Sequence, residues 1–361
     1  MVIVMRGEYK TPGGKLVGVE VVVDESGKPV TCTIDGDFFV LGDDDAARAM
    51  LAQLEDSLIA GRPLAGVFSH YPSLKLVGAD GAAISAAYQR ALHKGQNGAS
   101  DEKGRSIRAK VGVVDVSDRL TSNNDAFHQL YKKRWDALHP LVVHDIARSP
   151  ADQMKTDEDW ARQVARGQRP ATLRFWHWAE PAVVVGRFQS VEREVDVQAA
   201  KQEGFDIVRR STGGGAMFIE PGDVITYSLY APKGFVASLG VNESFRLCDQ
   251  WVIDALRGLG IDAFFSGTND IASSQGKIGG AAQRLYPAGD GGPGALLHHV
   301  TLAYDIDAQK MGRILKTSPE KLSDKAVKSA VKRVAPIKRQ TDVPFETLSS
   351  YLETYAKLSY N

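Results

Sequence analysis

Cysteine is almost missing from this chain. Cys32 and Cys248 are the only two in 361 residues, and they form no C-x-x-C pair. That argues against a disulfide framework and makes the reducing cytoplasm the expected compartment. No apolar run approaches the ~20 residues a spanning helix needs, and the first residues lack the basic-then-apolar order of a secretion signal. A charge of one sign is missing too. Forty-four basic and 44 acidic residues cancel, so overall charge gives no reason to expect nucleic acid or a membrane as partner. The eight histidines show no metal-ligand spacing, and the adjacent pair His298 and His299 cannot share one metal from a helix face.

The common nucleotide fingerprints are also missing. Gly276 and Lys277 are followed by Ile278, not by serine or threonine, and the earlier glycine of a P-loop is absent. A formal G-x-G-x-x-G at Gly289, Gly291 and Gly294 lies between prolines, with Pro287 before it and Pro293 within it. It reads as a surface turn, because the motif has meaning only between a strand and a helix.

Two other glycine-rich segments are present and carry most of the information. The first, R-R-S-T-G-G-G-A, runs over residues 209–216 between a strand-like stretch and the apolar M-F-I. Consecutive glycines let a backbone approach a ligand closely and aim its N–H groups at one point, which suits a phosphate. The second is N-D-I at 269–271 followed by G-K-I-G-G-A-A-Q-R at 276–284. It offers one lysine, Lys277, on an expected loop of small residues, where a point charge can reach an anionic intermediate.

Length suggests two or three domains, and 43% hydrophobic with 24% charged residues is ordinary for a chain with a buried core. Residues 16–23 have strand character, a turn follows at 25–29, and 30–34 is a partner strand. Asp43, Asp44 and Asp45 open a helix that Gly61 closes, and a second helix is expected over 82–94. The polar stretch 95–105 reads as a linker. Beyond it, helices are expected over 151–166 and 244–259, with strands over 141–146, 172–178 and 182–185. Residues 123–137 read as a helix or loop bridging the two parts, and the basic stretch 310–339 has a helical pattern. Strands and helices do not alternate regularly, so the expected class is α+β.

These segments, in this order, resemble lipoate–protein ligases of the biotin/lipoate protein ligase superfamily. The resemblance also covers A-D-Q-M-K-T-D-E-D-W at 151–160, L-R-F-W-H-W-A-E-P-A-V-V-V-G-R-F-Q at 173–189, L-L-H-H-V-T-L at 296–302 and the basic run 320–334. T-P-G-G-K-L-V-G-V-E-V at 11–21 and D-G-D-F-F-V at 35–40 look like the accessory domain of the same enzymes, here placed first. The resemblance implies an accessory domain over 1–94, a bridging segment over 95–122, and a ligase-like catalytic domain of mixed sheets with flanking helices over 123–361.

It also implies a chemistry. ATP and lipoate, with Mg²⁺, would give lipoyl-AMP, and a lysine of a lipoyl domain would then accept the acyl group. The implied acceptors are 2-oxoacid dehydrogenase E2 subunits and the glycine cleavage H protein. Lys277 would be catalytic at the acyl–phosphate junction. Arg210, Ser211, Thr212, Gly213, Gly214, Gly215, Ala216, Met217 and Phe218 would hold the nucleotide together with Asn269 and Asp270. Asp270 would also reach Mg²⁺ through the phosphates. Trp176, Gly279, Ala281 and His299 are candidates for a lipoyl slot, with a structural histidine the alternative for His299.

The chain departs from the family after the glycine run, where a histidine is usual and Ile219 stands, and where Asp223 replaces an asparagine. Two rival readings share the resemblance. An octanoyl or lipoyl transferase would need a cysteine nucleophile near the lysine segment, and none follows Cys248. A non-catalytic binder of lipoyl domains would have lost Lys277 or the glycines, and both are present.

Overall fold

A computed structural model describes residues 3–11, 13–96, 124–289, 291–316 and 334–360. The expected linker lies outside the described residues from 97 onward, as does the basic run from 317 to 333.

The first strands are β1 (Ile3–Lys10), β2 (Leu16–Val23) and β3 (Pro29–Gly36), an antiparallel sheet in that order. In β2 the alternate residues Val17, Val19, Val21 and Val23 are buried, as a strand's two-residue period requires when one face meets helices. Next come β4 (Phe39–Leu41), α1 (Asp44–Ile59), α2 (Ala65–His70), β5 (Lys75–Val77) and α3 (Gly81–Gln96). Asp44 and Asp45 sit in the first turn of α1, as expected of the acidic cluster, while Asp43 is its N-cap, accepting from the Ala46 N–H at 2.9 Å. Helices α1 and α3 cover the sheet, adding Met50, Leu54 and Ile84 to the valine face. Strand β1 had no reading in the sequence, and α3 extends into the expected linker.

The second part begins with α4 (Asn124–Leu138), β6 (Leu141–His144), α5 (Pro150–Ala165), β7 (Thr172–Trp176) and β8 (Ala182–Val185). It continues through α6 (Val191–Glu194), α7 (Val197–Gln202), β9 (Asp206–Arg209), β10 (Met217–Ile219), β11 (Val224–Pro232) and α8 (Val241–Gly258). Strands β12 (Phe264–Ser266), β13 (Asp270–Ser273), β14 (Gly276–Tyr286) and β15 (Ala295–Ala303) follow, then α9 (Ala308–Ile314) and α10 (Phe345–Tyr360). Seven strands form one sheet in the order β12-β13-β14-β15-β11-β7-β6, antiparallel except for β6 beside β7. Strands β10, β8 and β9 form a smaller sheet. Several sheets with helices on their faces make the α+β class expected from sequence.

The large sheet is sandwiched. On β11, Ile225, Tyr227 and Leu229 enter the core shared with Phe245, Trp251 and Leu256 of α8. The alternate residue Tyr230 joins Ala161 and Val164 of α5 on the opposite face. The same alternation sends His298 and His299 to opposite faces of β15, toward Asp249 of α8 and Asp157 of α5. Helix α10 was not foreseen. Its Leu348, Leu352 and Ala356 are fully buried in the α8 core. Among the described residues no helix is long and apolar enough to cross a membrane.

The N-terminal sheet lies on the second part. Phe38 stacks on Phe188 with ring centroids 5.2 Å apart, and the Gly36 N–H donates to the Phe188 carbonyl at 2.9 Å. Asp44 pairs with both Arg187 and Arg284.

Because Leu352 fills the seam between α10 and α8, Leu352→Ala should cost about 2–5 kcal/mol. A lowered midpoint in thermal unfolding checks this. Leu358, 77% exposed on the same helix, is the control, and its alanine variant should stay within about 0.5 kcal/mol of wild type.

Candidate functional site

A cavity of about 410 Å³ opens between the glycine run, β13–β15 and the N-terminal sheet. Lys277 borders it, and here the sequence expectation is corrected: the residue sits in strand β14, not in a loop. Pairing of β13 with β14 slips at this point. Ile271 faces Gly279 whereas Ala272 faces Lys277, which leaves Ile278 as an extra residue in a bulge. Ile278 is buried in the core, while Lys277 remains 35% exposed with its Nζ 2.8 Å from Asp270 Oδ1. Small residues do surround it as expected, with Gly279, Gly280 and Ala281 on the cavity wall.

Arg210 is also on the wall, but its guanidinium is turned inward. It donates to the carbonyls of Gly213 at 2.7 Å, Gly215 at 2.8 Å and Val184 at 3.2 Å, and to Thr212 Oγ1 at 3.0 Å. Only 3% of the residue is exposed. Burial pulls its pKa down to about 10, with the Asp37 charge opposing. The expected phosphate fork is therefore corrected to a brace that curls the glycine run around one cation.

The glycines divide in the same way. Gly214 and Gly215 border the cavity with Ala216, Met217 and Phe218. Gly213 does not border it. A Cβ there would lie 2.6 Å from the Phe38 carbonyl oxygen, so this glycine answers to the N-terminal segment pressed on it. Ser211 and Thr212 also lie behind the wall. Ser211 Oγ meets Tyr286 Oη at 3.1 Å, and Thr212 is 1% exposed. Asn269, Asp270 and His299 border the cavity as expected. Trp176 does not, which corrects its proposed place in an acyl slot. It is buried against Trp178 and its indole N–H donates to Ser228 Oγ at 2.9 Å. Ile219, in the position of the usual histidine, is wholly buried beside it.

His299 belongs to a buried chain of hydrogen bonds. Its Nδ1 is 2.7 Å from Asp157 Oδ2 and its Nε2 is 2.7 Å from Thr212 Oγ1. An ionised Asp157 can only accept, so Nδ1 carries the proton and Nε2 accepts from the threonine hydroxyl. That hydroxyl in turn accepts from Arg210. Burial lowers the His299 pKa more than the Asp157 hydrogen bond and charge raise it. Burial alone would raise the Asp157 pKa, but bonds and charge from His299, Arg174 and Tyr230 hold it below the usual carboxylate range. Asp157 was missed in the sequence because nothing marks one acid of an amphipathic helix as inward-facing.

Also missed were Lys10 at the end of β1, Lys15 just before β2 and Asp37 just after β3, all of which border the cavity, and an apolar stretch of wall formed by Val224, Ile306, Met311 and Leu315. Lys15 lies within the T-P-G-G-K-L segment already singled out. Its approach to N-D-I is a long-range contact that no local pattern encodes. Neither cysteine borders the cavity. Cys32 is buried in β3, with burial and then Glu55 pushing its thiol up to about 12. Cys248 is buried in α8, where burial and Asp249 push the thiol far above its ordinary range. Among the described residues no group of three His, Cys, Asp or Glu side chains could hold a metal.

The fold fits the biotin/lipoate ligase superfamily, and the comparisons show the family. The model of the lipoyl protein ligase A/B catalytic domain matches residues 149–356, and the chain belongs to that family. It is 31% identical over 200 residues to lipoate-protein ligase A subunit 1 of Thermoplasma acidophilum, covering 54% of this chain and 74% of that one. It is also 27% identical over 216 residues to octanoyltransferase LipM of Geobacillus kaustophilus, covering 53% and 75%. A solved chain from an archaeal lipoylation system, described as a bi-partite lipoate protein ligase and its E2 lipoyl domain from Thermoplasma acidophilum, aligns with a TM-score of 0.51 and 27% identity. That alignment covers 61% of this chain and 83% of the other. The family match begins after the N-terminal sheet.

The depressed His299 pKa has a signed consequence. Below its ordinary value of 6.5 the unfolded chain takes up a proton that the folded chain refuses, so stability is lost as pH falls. The melting temperature should fall between about pH 7 and pH 5.5. His299→Gln, which can still donate to Asp157 and accept from Thr212, should flatten that fall. Half-buried His177 shifts in the same direction and keeps part of it. An unchanged slope in the glutamine variant refutes the assignment.

Proposed function

We propose that the chain is an AMP-forming lipoate–protein ligase, with residues 123–361 as its catalytic domain and 1–94 as an accessory domain. The observation that carries this reading is the cavity wall. It presents Lys277 beside Asp270 and an apolar stretch, while both cysteines are buried elsewhere. A carboxylate is a poor acyl donor, and joining it to AMP supplies a leaving group. In the first half-reaction a lipoate carboxylate oxygen attacks the α-phosphorus of ATP and pyrophosphate departs with the bond's electron pair. In the second, the ε-amine of a lipoyl-domain lysine attacks the acyl carbon, AMP leaves, and the amide forms with loss of a proton to solvent.

Lys277 neutralises the α-phosphate and polarises the acyl carbonyl in both steps, an effect worth about 3–4 kcal/mol for a well-placed donor. Gly214 to Phe218 offer backbone along the nucleotide. Val224, Ile306, Met311 and Leu315 suit the acyl chain better than the buried Trp176 does. Asp270 is paired with Lys277, and among the described residues no group of three His, Cys, Asp or Glu side chains could hold a metal, which fits Mg²⁺ arriving on the phosphates rather than in a protein-built cage. Bound there, the ion would screen phosphate charge. The Thermoplasma relative's description as bi-partite is in keeping with two cooperating parts, here carried on one chain. Acceptors would be E2 lipoyl domains and H protein.

The LipM likeness sustains a second reading, acyl transfer through a thiolate without ATP. It requires an accessible cysteine at the cavity, and the raised thiol of Cys248 speaks against it.

ATP–pyrophosphate exchange with lipoate, octanoate and biotin in parallel tests the proposal. Lipoate-dependent exchange should be present in wild type and fall at least ~100-fold in Lys277→Ala. Lys277→Arg should not restore it, because a planar fork does not replace a point charge. Near-normal exchange by the alanine variant would sink the reading. The Cys32→Ser/Cys248→Ser double variant, if folded, should keep ligase activity. Loss of transfer in that variant, with a thioester trapped on wild type, would establish the transferase.

A further inference from the structure

The second part of the chain gives the cavity few usable cations. Among the described residues on its wall, Arg210 is turned onto backbone carbonyls and His299 is buried, which leaves Lys277. The other two cations, Lys10 at the end of β1 and Lys15 just before β2, come from the N-terminal unit.

Lys15 is held in place by close packing. Its N–H donates to the Gly78 carbonyl at 2.6 Å. Gly78 has φ +84°, and a Cβ added there would lie 2.3 Å from Lys15 Cγ, so only glycine leaves room for the lysine stem. The Nζ reaches 254 positions along the sequence to donate to Asn269 Oδ1 at 2.8 Å. Asn269 is itself oriented, since its Nδ2 donates to the Ala281 carbonyl at 2.7 Å. The ammonium also lies 5.5 Å from the Phe39 ring. Burial lowers the Lys15 pKa, the Asp270 charge opposes this, and Lys277 is near enough to lower it further. Two lysines from two parts of the chain thus converge around Asp270, and with Lys10 they outnumber the wall's two carboxylates, Asp37 and Asp270, among the described residues.

Building on the ligase reading, we propose that Lys15 contacts the β- and γ-phosphates of ATP and stabilises departing pyrophosphate, so that the N-terminal unit contributes directly to the activation step. As the carboxylate oxygen bonds to the α-phosphorus, the bond from that phosphorus to the bridging oxygen breaks and its electron pair moves onto pyrophosphate. Lys15 meets that growing charge without transferring a proton. Lys277 serves the acyl–phosphate junction, which persists in the adenylate. Lys15 therefore matters for activation and its reversal, and not for transfer to the acceptor.

The test uses the full chain with Lys15→Met, and with Lys15→Gln, which retains a donor without the charge. Lipoate-dependent ATP–pyrophosphate exchange and transfer from prepared lipoyl-AMP to a lipoyl domain are measured separately, with melting temperatures alongside. Exchange should fall at least ~10-fold in both variants, while transfer stays within about twofold of wild type. Exchange within about twofold of wild type, or equal loss in both half-reactions, overturns the inference and leaves the ligase reading standing. A wild-type chain with no exchange overturns the ligase reading, and this inference with it.

Discussion

One guanidinium organises the cavity. Arg210 is almost excluded from water, and a charge so placed is tolerable only when its donors are satisfied. It draws in the carbonyls of Gly213, Gly215 and Val184, and the glycine run can curl around it because that run carries no side chains. Through Thr212, His299 and Asp157 the same group is tied across the large sheet to α5. The shape of the wall is therefore set largely by buried polar groups whose hydrogen bonds are made within the protein. The charged Arg174 completes this web. It is wholly buried and pairs with both Asp157 and Asp145.

The other side of the cavity is supplied by the N-terminal sheet, and the two sides meet through contacts of different kinds. Phe38 on Phe188 is apolar and insensitive to salt. Asp44 bridges Arg187 and Arg284, and at the rim Glu20 pairs with the half-exposed Arg193. Exposed rim pairs contribute little and are screened by salt. The aromatic stack, the close fit of Gly213 under Phe38 and the largely buried Asp44 bridge therefore hold the two parts together, while the exposed Glu20–Arg193 pair adds little.

The sequence revealed its local content well. Helix α1 announced itself through Asp43, β2 through its alternating valines, and α8 through its amphipathic pattern stopped at Gly260. Lys277, Asn269 and Asp270 were legible because their motif is compact and they do converge on one cavity. What remained hidden depends on distant contacts. A bulge in β14 cannot be distinguished from a loop when the residues are glycine and isoleucine. Arg210 beside three glycines invites a phosphate reading, and only the fold shows that its donors meet carbonyls. Trp176 is aromatic in a strand, a pattern equally suited to a slot or a core. Strand β1, where Arg6, Glu8 and Lys10 alternate, and helix α10, with Leu348, Leu352 and Ala356 at helical spacing, carry local patterns, but no recognised motif lies beside them to single them out.

The placement of the glycines carries the synthesis one step further. A run of three would be over-determined if it served only a phosphate, since one or two close approaches suffice for a backbone cradle. Here each glycine has its own neighbour: Gly213 meets the Phe38 carbonyl, Gly214 lies under the Phe39 ring, and Gly215 lies within van der Waals reach of the Asp37 carboxylate. The segment thus receives the N-terminal unit on one side and leaves open backbone on the other. Gly215, Asp37 and Lys15 all border the cavity, so the cavity wall and the seat of the N-terminal unit share one short stretch of main chain. Energetic coupling between the two parts of the molecule needs no longer path than that.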